Sequence, residues 1–198
     1  MNAIELHGVK KYYQEAENVV RAVDGIDLAL APGEFASLAG TSGSGKTTLL
    51  NLIGGLDRPD AGTLEIDGID TRNKSDDALA ELRLRRIGFV FQAYNLIPVL
   101  TTYENIQFVL QAQGLPEREH KGRIMPILEE LGLATLADRF PTQLSGGQQQ
   151  RVAVARAIVG EPAIVLADEP TANLDSETAA SLLAMMRRLN LERGITFL

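Results

Sequence analysis

The chain has 198 residues, of which 45% are hydrophobic, and a formal net charge of −7. This length and apolar content suit a single α/β domain with a sizeable core. The acidic balance argues weakly against a surface that binds duplex nucleic acid, because phosphate contacts need clustered Lys and Arg. No nucleic-acid partner is therefore expected, and the one basic cluster, RLRR at 83–86, is interpreted as a solvated helix face.

Cysteine is absent, which excludes a disulfide framework and a thiolate zinc site. No apolar run reaches the roughly 18 residues of a membrane-spanning helix. Residues 1–13 carry charges where a secretory signal needs an apolar segment. The sequence therefore predicts a cytoplasmic protein whose role at a membrane, if it has one, depends on a partner.

The N-terminal third predicts a small antiparallel sheet. Apolar and polar residues alternate through the first 30 residues, a pattern typical of strands. A hairpin is expected at 63–70, where Asp67 and Gly68 can supply the positive φ of a tight turn. A short apolar strand at 35–39 precedes a glycine-rich loop, and apolar residues at helical spacing follow that loop.

The middle of the chain is predicted to be mostly helical. A charged helix at 76–86 precedes an apolar strand at 87–92. Residues 98–142 then favour helices, with breaks at Gly114 to Pro116 and at Pro141, and are interpreted as a helical insertion.

The C-terminal third predicts alternating helices and strands. Serine and glutamine in SGGQ, 145–148, form a capping box at the start of a helix that extends to about residue 159. Residues 163–167 carry no charge and predict a strand buried on both faces of a parallel sheet. A helix over 176–193, ended by Gly194, leads to the start of another strand at 195–198.

The glycine-rich stretch GTSGSGKT, 40–47, matches the G-x-x-x-x-G-K-Ser/Thr phosphate loop. Its glycines allow backbone N–H groups to converge on phosphate oxygens, and the helix N-terminus and Lys46 add positive charge. The hydroxyl of Thr47 is expected to bind magnesium. The strand before the loop and the helix after it favour a nucleoside triphosphate site over a simple glycine-rich turn. The predicted nucleotide-binding residues of this loop are Gly40, Thr41, Ser42, Gly43, Ser44, Gly45, Lys46, Thr47 and Thr48.

Two adjacent acids, Asp168 and Glu169, end the apolar strand at the edge where an α/β sheet binds ligands. We assign Asp168 to magnesium and Glu169 to the water that attacks the γ-phosphate. Alone, such a pair is more often a helix cap; the phosphate loop favours the catalytic interpretation. NKSD at 73–76 matches the guanine-reading N-K-x-D pattern, but it lies upstream of Asp168 instead of downstream. We interpret it as a helix cap, which leaves adenine as the predicted base.

The sequence LSGGQQQR, 144–151, resembles the signature of ABC ATPases. The other matching motifs are the phosphate loop, Gln92 in GFVFQ (88–92), AIVLADEPT (163–171) and NLD (173–175). Together they extend the resemblance over essentially the whole chain. The stretches at 93–106 and 168–176 are most similar to ATPases of the lipoprotein-release, macrolide-export and cell-division branch.

This resemblance implies an α/β P-loop NTPase fold with an N-terminal antiparallel β subdomain and an inserted helical subdomain. Residues 1–198 would form one ATP-binding domain, with its core at 1–97 and 143–198 and the helical subdomain at 98–142. It also implies ATP and Mg2+ as ligands, a homodimer that encloses ATP between its subunits, and a transmembrane permease partner. The protein would then lie on the cytoplasmic face of the membrane, attached through that permease.

The resemblance also implies residue roles. Gln92 would contact magnesium, the attacking water and the membrane partner. Tyr13, with Tyr12 as the less favoured alternative, would stack on adenine, and Asp175 would cross the dimer interface or cap the next helix. The residues implied to face the γ-phosphate of the other subunit are Ser145, Gly146, Gly147 and Gln148. The implied catalytic residues are Glu169, Gln92 and Lys46, and the implied metal ligands are Thr47, Gln92 and Asp168.

The chain departs from the family pattern at its C-terminus. The family's switch histidine, expected beyond the strand that begins at Ile195, is absent, and His7 and His120 are expected to be ordinary surface residues. We expect a C-terminal truncation, with ATP binding retained and turnover slow or absent. The alternatives are a nontransport ABC ATPase or an ATP-binding module with little turnover. Lipoprotein, macrolide, peptide and lipid all remain possible cargoes.

Overall fold

The computed structural model describes residues 1–15 and 18–198, which fold around two β-sheets. Four strands form an antiparallel sheet in the order β2-β1-β3-β4. They are β1 (Ile4–Glu15), β2 (Asn18–Leu30), β3 (Ala61–Ile66) and β4 (Ile69–Asp70). The sheet confirms the prediction for the first 30 residues, of which 16 and 17 lie outside the described part.

The hairpin between β3 and β4 forms as predicted. Asp67 and Gly68 take φ values of 49° and 72°, the left-handed conformation that a two-residue turn requires. Along β1, Ile4 and Leu6 are fully buried while His7 is exposed. The period of two in the sequence thus places one face of this sheet on the core.

Helix α1 (Lys46–Ile53) follows the glycine-rich loop, and helix α2 spans Asp76–Arg86 as predicted. The hydroxyl of Ser75 accepts a hydrogen bond from the N–H of Ala78 and so caps the first turn of α2. The N-K-x-D-like stretch is therefore a helix cap, as interpreted from the sequence. Strand β5 (Ile87–Phe91) follows directly.

The basic cluster of α2 is only partly a solvated face. Arg85 and Arg86 are exposed, as predicted, whereas Arg83 is half-buried. Its guanidinium donates a hydrogen bond to the carbonyl of Gly55 at 2.7 Å. Arg83 therefore connects α2 to the turn after α1 through a hydrogen bond.

Helices α3 (Thr102–Ala112) and α4 (Glu117–Glu130) occupy the segment predicted to be helical. Gly114, with φ 77°, lies in the predicted break between them. Two 3-10 turns, Ala134–Leu136 and Pro141–Gln143, complete the segment.

The expectation that His120 is a surface residue is wrong. His120 lies on α4 and is only 2% exposed. Its ring lies 3.1 Å from the side-chain amide of Gln107 and 2.9 Å from the carbonyl of Leu115. The charged residues next to His120 in the sequence suggested an exposed segment, but the side chain of His120 itself faces α3. His7 is exposed, as expected.

Three parallel strands form the second sheet, in the order β5-β6-β7, where β6 is Ile164–Asp168 and β7 is Thr196–Phe197. Strand β6 lies in the middle, and its first three residues are at most 2% exposed, which confirms a strand buried on both faces. Helices α5 (Gly146–Ile158) and α6 (Ser176–Arg193) precede and follow it. Gly194, with φ 67°, ends α6 as predicted.

The strand predicted at 35–39 is reduced to a single bridge between Phe35 and Phe197. Two backbone hydrogen bonds, from Ala36 N to Phe197 O and from Phe197 N to Glu34 O, each 2.9 Å, hold this segment beside β7. Strand β7 pairs over only two residues, so residues 35–39 have only a short partner strand with which to form backbone hydrogen bonds.

Two apolar clusters form the core on either side of the parallel sheet. One lies between the antiparallel sheet, α1 and α2; the other joins α3, α4, α5 and α6. Ile164 and Leu166 belong to the first cluster and Val165 to the second, because successive residues of a strand point to opposite faces. Strand β6 therefore joins the two halves of the molecule, and its carboxyl end is fixed from both sides.

Candidate functional site

The glycine-rich loop leads into the first turn of α1. Gly45 precedes the helix with φ 87°, and no side chain caps the N-terminus of α1. A Cβ at Gly45 would lie 2.1 Å from the carbonyl oxygen of Ala22 on β2, so only glycine fits. Gly43 also takes a positive φ, 79°. The loop thus leaves helix N–H groups available to an anion, the arrangement that binds phosphate in proteins.

Lys46 lies at the first position of α1 and folds back over the loop. Its ammonium donates hydrogen bonds to the carbonyl oxygens of Gly40 and Thr41, each at 2.9 Å. A full positive charge is thereby held next to the loop's N–H groups. Such a charge favours a polyanionic ligand at this position.

The acid at the end of β6 meets the phosphate loop, as the sequence predicted. The hydroxyl of Thr47 lies 3.4 Å from Oδ1 of Asp168. Among residues 1–15 and 18–198, no group of three or more His, Cys, Asp or Glu side chains could hold a metal ion. A pair of oxygen ligands nevertheless suits Mg2+, which commonly binds through few protein groups together with substrate phosphates and water. The donor set therefore fits magnesium bound together with a phosphorylated ligand.

Glu169 follows Asp168 in a left-handed backbone conformation, with φ 46°. A non-glycine residue in this region carries strain of about 1–3 kcal/mol, and such residues cluster at functional sites. A cavity of about 220 Å³ adjoins Lys46, Asp168 and Glu169. Asp168 and Glu169 therefore both border this cavity at the end of β6.

Gln92 directly follows Phe91, which pairs with Asp168 across the parallel sheet. Its carbonyl accepts a hydrogen bond from the side chain of Asn173 at 3.0 Å. The structure therefore brings Gln92 beside the two acids, at the carboxyl ends of neighbouring strands. Ligands bind at this edge in open α/β sheets.

Sequence reasoning missed Arg156, which holds the loop after Gln92. Its guanidinium donates hydrogen bonds to the carbonyl oxygens of Tyr94 at 2.9 Å and Asn95 at 2.5 Å. Both loop residues are left-handed, with φ 60° and 49°. Burial lowers the pKa of Arg156. The sequence feature that could have indicated a buried arginine is that Arg156 is the single charge in VAVARAIV, 152–159, the most apolar part of α5.

The signature residues form the predicted capping box at the start of α5. The hydroxyl of Ser145 accepts from the N–H of Gln148, and the amide oxygen of Gln148 accepts from the N–H of Ser145. A Cβ at Gly146 would lie 2.9 Å from the hydroxyl of Tyr94, and one at Gly147 would lie 2.6 Å from a methyl carbon of a threonine in α6. A side chain at either position would therefore have to displace the end of a neighbouring side chain.

Asp175 caps α6. Its carboxylate accepts hydrogen bonds from the N–H groups of Thr178 and Glu177 and from the Thr178 hydroxyl at 2.7 Å. These bonds, the backbone N–H of Thr178 first, hold the pKa of Asp175 below its usual range. Within the described residues, no hydrogen bond links Ser145 or Asp175 to the loop at 40–48, so the chain does not bring these residues to its own phosphate loop.

Tyr13 lies on β1 and is 37% exposed. Its hydroxyl donates to Asp57, in the segment after α1, at 2.8 Å. Burial, followed by the bond to Asp57, raises the pKa of Tyr13. The hydroxyl of Tyr12 instead donates to Asp24 of β2 at 2.6 Å. Tyr13 is therefore the tyrosine attached to the segment after α1, and adenine stacking stays a prediction.

Across residues 1–15 and 18–198, no helix has both the length and the apolar character needed to span a bilayer. Residues 23–172 match the family model described as ABC transporter. Over 98% of its length, the chain is 48% identical to the lipoprotein-releasing system ATP-binding protein LolD of Anaeromyxobacter dehalogenans, of which it covers 82%. All of the chain matches the macrolide export ATP-binding/permease protein MacB of Syntrophobacter fumaroxidans at 46% identity, but it spans only 28% of that longer protein.

A solved structure of similar fold is the ATP-binding cassette MJ0796, which is from Methanocaldococcus jannaschii, in a dimeric post-hydrolysis state with ADP and Pi. The superposition gives a TM-score of 0.89 and 43% identity, and covers 98% of this chain and 85% of the other. These similarities extend over both sheets and all the site residues described above. The chain therefore belongs to the family of ABC transporter ATP-binding proteins.

Proposed function

We propose that this chain binds ATP and hydrolyses it slowly to drive a transmembrane partner. The observation that carries the proposal is the contact between the phosphate loop and the end of β6, where Thr47 and Asp168 approach to 3.4 Å. The loop at 40–48 would hold the phosphates through its N–H groups and Lys46. Family membership supports the ATPase class, and this geometry supports ATP as the substrate of this chain.

Thr47 and Asp168 would hold Mg2+, and Gln92, next to them at the sheet edge, would complete the protein side of that site. Magnesium would neutralise charge that develops on the phosphate oxygens. Glu169 would orient and deprotonate the attacking water. Asp168 would thus serve the metal, and Glu169, which borders the same cavity beside Lys46, would serve the water.

We propose Tyr13 as the surface on which adenine stacks. The ring is partly exposed, and its hydroxyl is bonded to Asp57 in the segment after α1. Stacking recognises the shape of the base and not its edges, so Tyr13 should discriminate only modestly between bases.

A second copy of the chain would complete the site. Ser145, Gly146, Gly147 and Gln148 lie at the N-terminus of α5, and Asp175 lies at the N-terminus of α6. These residues would face the γ-phosphate held by the other subunit, with serine and helix N–H groups as donors. The dimeric ADP-bound state of MJ0796 supports a dimeric arrangement.

A groove of about 510 Å³ between α2, β5, α3 and α5 is the proposed contact surface for the permease. It includes Phe91 and Asn95, on either side of Gln92, and the exposed side chains of Leu56 and Phe108. The permease would thus contact the loop that carries Gln92. We retain residues 98–142 as the helical subdomain that transmits this contact, with 1–97 and 143–198 as the core. The permease would select the cargo.

A pair of glutamate variants tests the catalytic assignment. Glu169 and Glu161 both adopt left-handed φ values, 46° and 55°, but Glu161 lies outside the site and pairs with Arg123. Glu169→Gln should retain Mg-ATP binding, lose phosphate release and accumulate an ATP-dependent dimer in light scattering, whereas Glu161→Gln should behave as the parent. Failure of the parent chain to bind Mg-ATP, or phosphate release unaffected by Glu169→Gln, would refute the proposal.

A further inference from the structure

We propose that Asp57 and Lys11 are positioning residues that fix the Tyr13 ring as a platform for the adenine base. The proposal rests on the proposed function of Tyr13 and adds two residues that the family motifs do not include. It starts from a single carboxylate that binds two side chains of β1. Both oxygens of Asp57 are used, and each has a different partner.

The hydroxyl of Tyr13 donates to Oδ2 of Asp57 at 2.8 Å. The ammonium of Lys11 donates to Oδ1 at 2.7 Å. Lys11 and Tyr13 are two residues apart on β1, and their shared partner shows that both side chains reach the same side of the strand. Asp57 thus restrains the ring at its hydroxyl end and the neighbouring cation at the same time.

The Lys11 ammonium also lies 5.3 Å from the centroid of the Tyr13 ring. A cation within about 6 Å of an aromatic face is attracted to it. This contact places Lys11 against one face of the ring and leaves the opposite face for a planar ligand. The Lys11 side chain is only 12% exposed, so it is held in place by packing as well as by charge.

The carboxylate of Asp57 is charged in this arrangement. Burial by itself would raise the pKa of Asp57, but the hydrogen bonds from Lys11, Tyr13 and the backbone N–H of Arg58 and the charge of Lys11 together hold the pKa below its usual value. For Lys11, burial would lower the pKa, but the hydrogen bond to Asp57 and the charges of Asp57 and Asp60 together raise it. A charged, hydrogen-bonded pair holds its partners more strongly than neutral groups would.

The backbone of Asp57 is in turn attached to α1, the helix that begins at the phosphate loop. The N–H of Asp57 lies 3.3 Å from the carbonyl of Asn51 in α1. The base platform is therefore connected to the C-terminal part of α1, which limits its movement relative to the loop that holds the phosphates. Such preorganisation reduces the ordering cost of binding.

The neighbouring tyrosine supplies a matched control. Tyr12 donates its hydroxyl to Asp24 at 2.6 Å, and the guanidinium carbon of Arg21 lies 5.9 Å from its ring centroid. These three residues make the same kinds of contact as Tyr13, Asp57 and Lys11. Their carboxylate, however, belongs to β2 and not to the segment after α1. Tyr12→Phe and Asp24→Ala therefore remove the same kinds of bond without affecting the proposed platform.

The test is calorimetric titration of the chain with Mg2+ and either AMP-PNP, a non-hydrolysable ATP analogue, or tripolyphosphate, which has no base. Tyr13→Phe and Asp57→Ala should each weaken AMP-PNP binding by about threefold to tenfold, as expected for one lost hydrogen bond. Binding of tripolyphosphate should be unchanged. In a double-mutant cycle, the combined variant should be no weaker than Asp57→Ala alone, because both changes remove the same bond. The Tyr12 and Asp24 variants should bind both ligands like the parent.

The outcomes separate the positioning role from the platform itself. If Tyr13→Ala weakens AMP-PNP binding while Tyr13→Phe and Asp57→Ala do not, the platform stands and the positioning role is wrong. If Tyr13→Ala binds AMP-PNP like the parent, the adenine contact in the proposed function is wrong. Equal losses for AMP-PNP and tripolyphosphate in Asp57→Ala would show that Asp57 only maintains the fold, and would also overturn the proposal. Tyr13→Phe keeps the ring and so covers the case in which Asp57→Ala does not fold.

Discussion

Replacing Gly45 by alanine tests how the phosphate loop is held against the antiparallel sheet. A Cβ at Gly45 would lie 2.1 Å from the carbonyl oxygen of Ala22, and the residue has φ 87°. Gly43, two residues earlier, has a similar φ of 79°, but a Cβ there would meet nothing within 4 Å. Gly43→Ala therefore introduces the backbone strain without the collision and serves as the matched control.

The two variants should differ by the energy of the collision. An alanine in the left-handed region costs about 1–2 kcal/mol, and this term applies to both. Overpacking against a rigid group adds about 1–3 kcal/mol. The Ala22 oxygen is a backbone atom, and the residues on either side of it, Arg21 and Val23, both pair with β1, so it has little freedom to move away. We expect a loss of about 2–5 kcal/mol in the free energy of unfolding for Gly45→Ala and of about 1–2 kcal/mol for Gly43→Ala.

Urea denaturation followed by circular dichroism measures both values, and titration with Mg-ATP reports whether the loop keeps its shape. If the protein avoids the collision by moving the loop, Gly45→Ala should lose ATP affinity while its stability falls less than expected. The reasoning is refuted if Gly45→Ala matches Gly43→Ala in both stability and ATP affinity, since the contact with Ala22 would then have no consequence.

Three further predictions concern helices and a loop. Asp175→Ala should lower the free energy of unfolding at neutral pH, because Thr178 loses its acceptor. The native pKa of Asp175 lies below the ordinary 3.8, so the stability difference between variant and parent should shrink only as pH falls below that value. Urea denaturation at several pH values measures this difference. Arg156→Met should cost about 2 kcal/mol by removing two hydrogen bonds to carbonyls, and amide hydrogen exchange should be faster at 94–95 and unchanged on β1. His120→Leu should destabilise by about 1–3 kcal/mol in thermal unfolding, because Gln107 loses its buried partner; a smaller loss in the double variant with Gln107→Leu would confirm that cause.

The elements that were predicted correctly depend on local chemistry. The capping box of Ser145 and Gln148, the cap at Ser75 and the turn at Asp67 and Gly68 each involve residues within four positions of one another. Their hydrogen bonds or φ values follow from residue type, whatever lies around them. Helix α2 and strand β6 also have local signals, a charged run that opens on a cap and an apolar run without charges.

The long-range contacts were not predictable from the sequence. The strand expected at 35–39 is apolar enough, but its extent depends on β7, which pairs over two residues. The burial of His120 depends on which face of α4 packs against α3. Arg156 stood out as a charge in an apolar run, but its partners, the carbonyls of Tyr94 and Asn95, lie about 60 positions away in the chain.

By itself, the sequence determined the phosphate loop, the acidic pair, the signature and the secondary structure around them, because glycine, capping and apolar period act over a few residues. The tertiary structure alone placed the Ala22 carbonyl behind Gly45 and the hydroxyl of Thr47 near Asp168. It also attached Tyr13 to Asp57. These contacts join segments that are distant in the chain, and their distances are set by how the two apolar clusters pack on either side of β6.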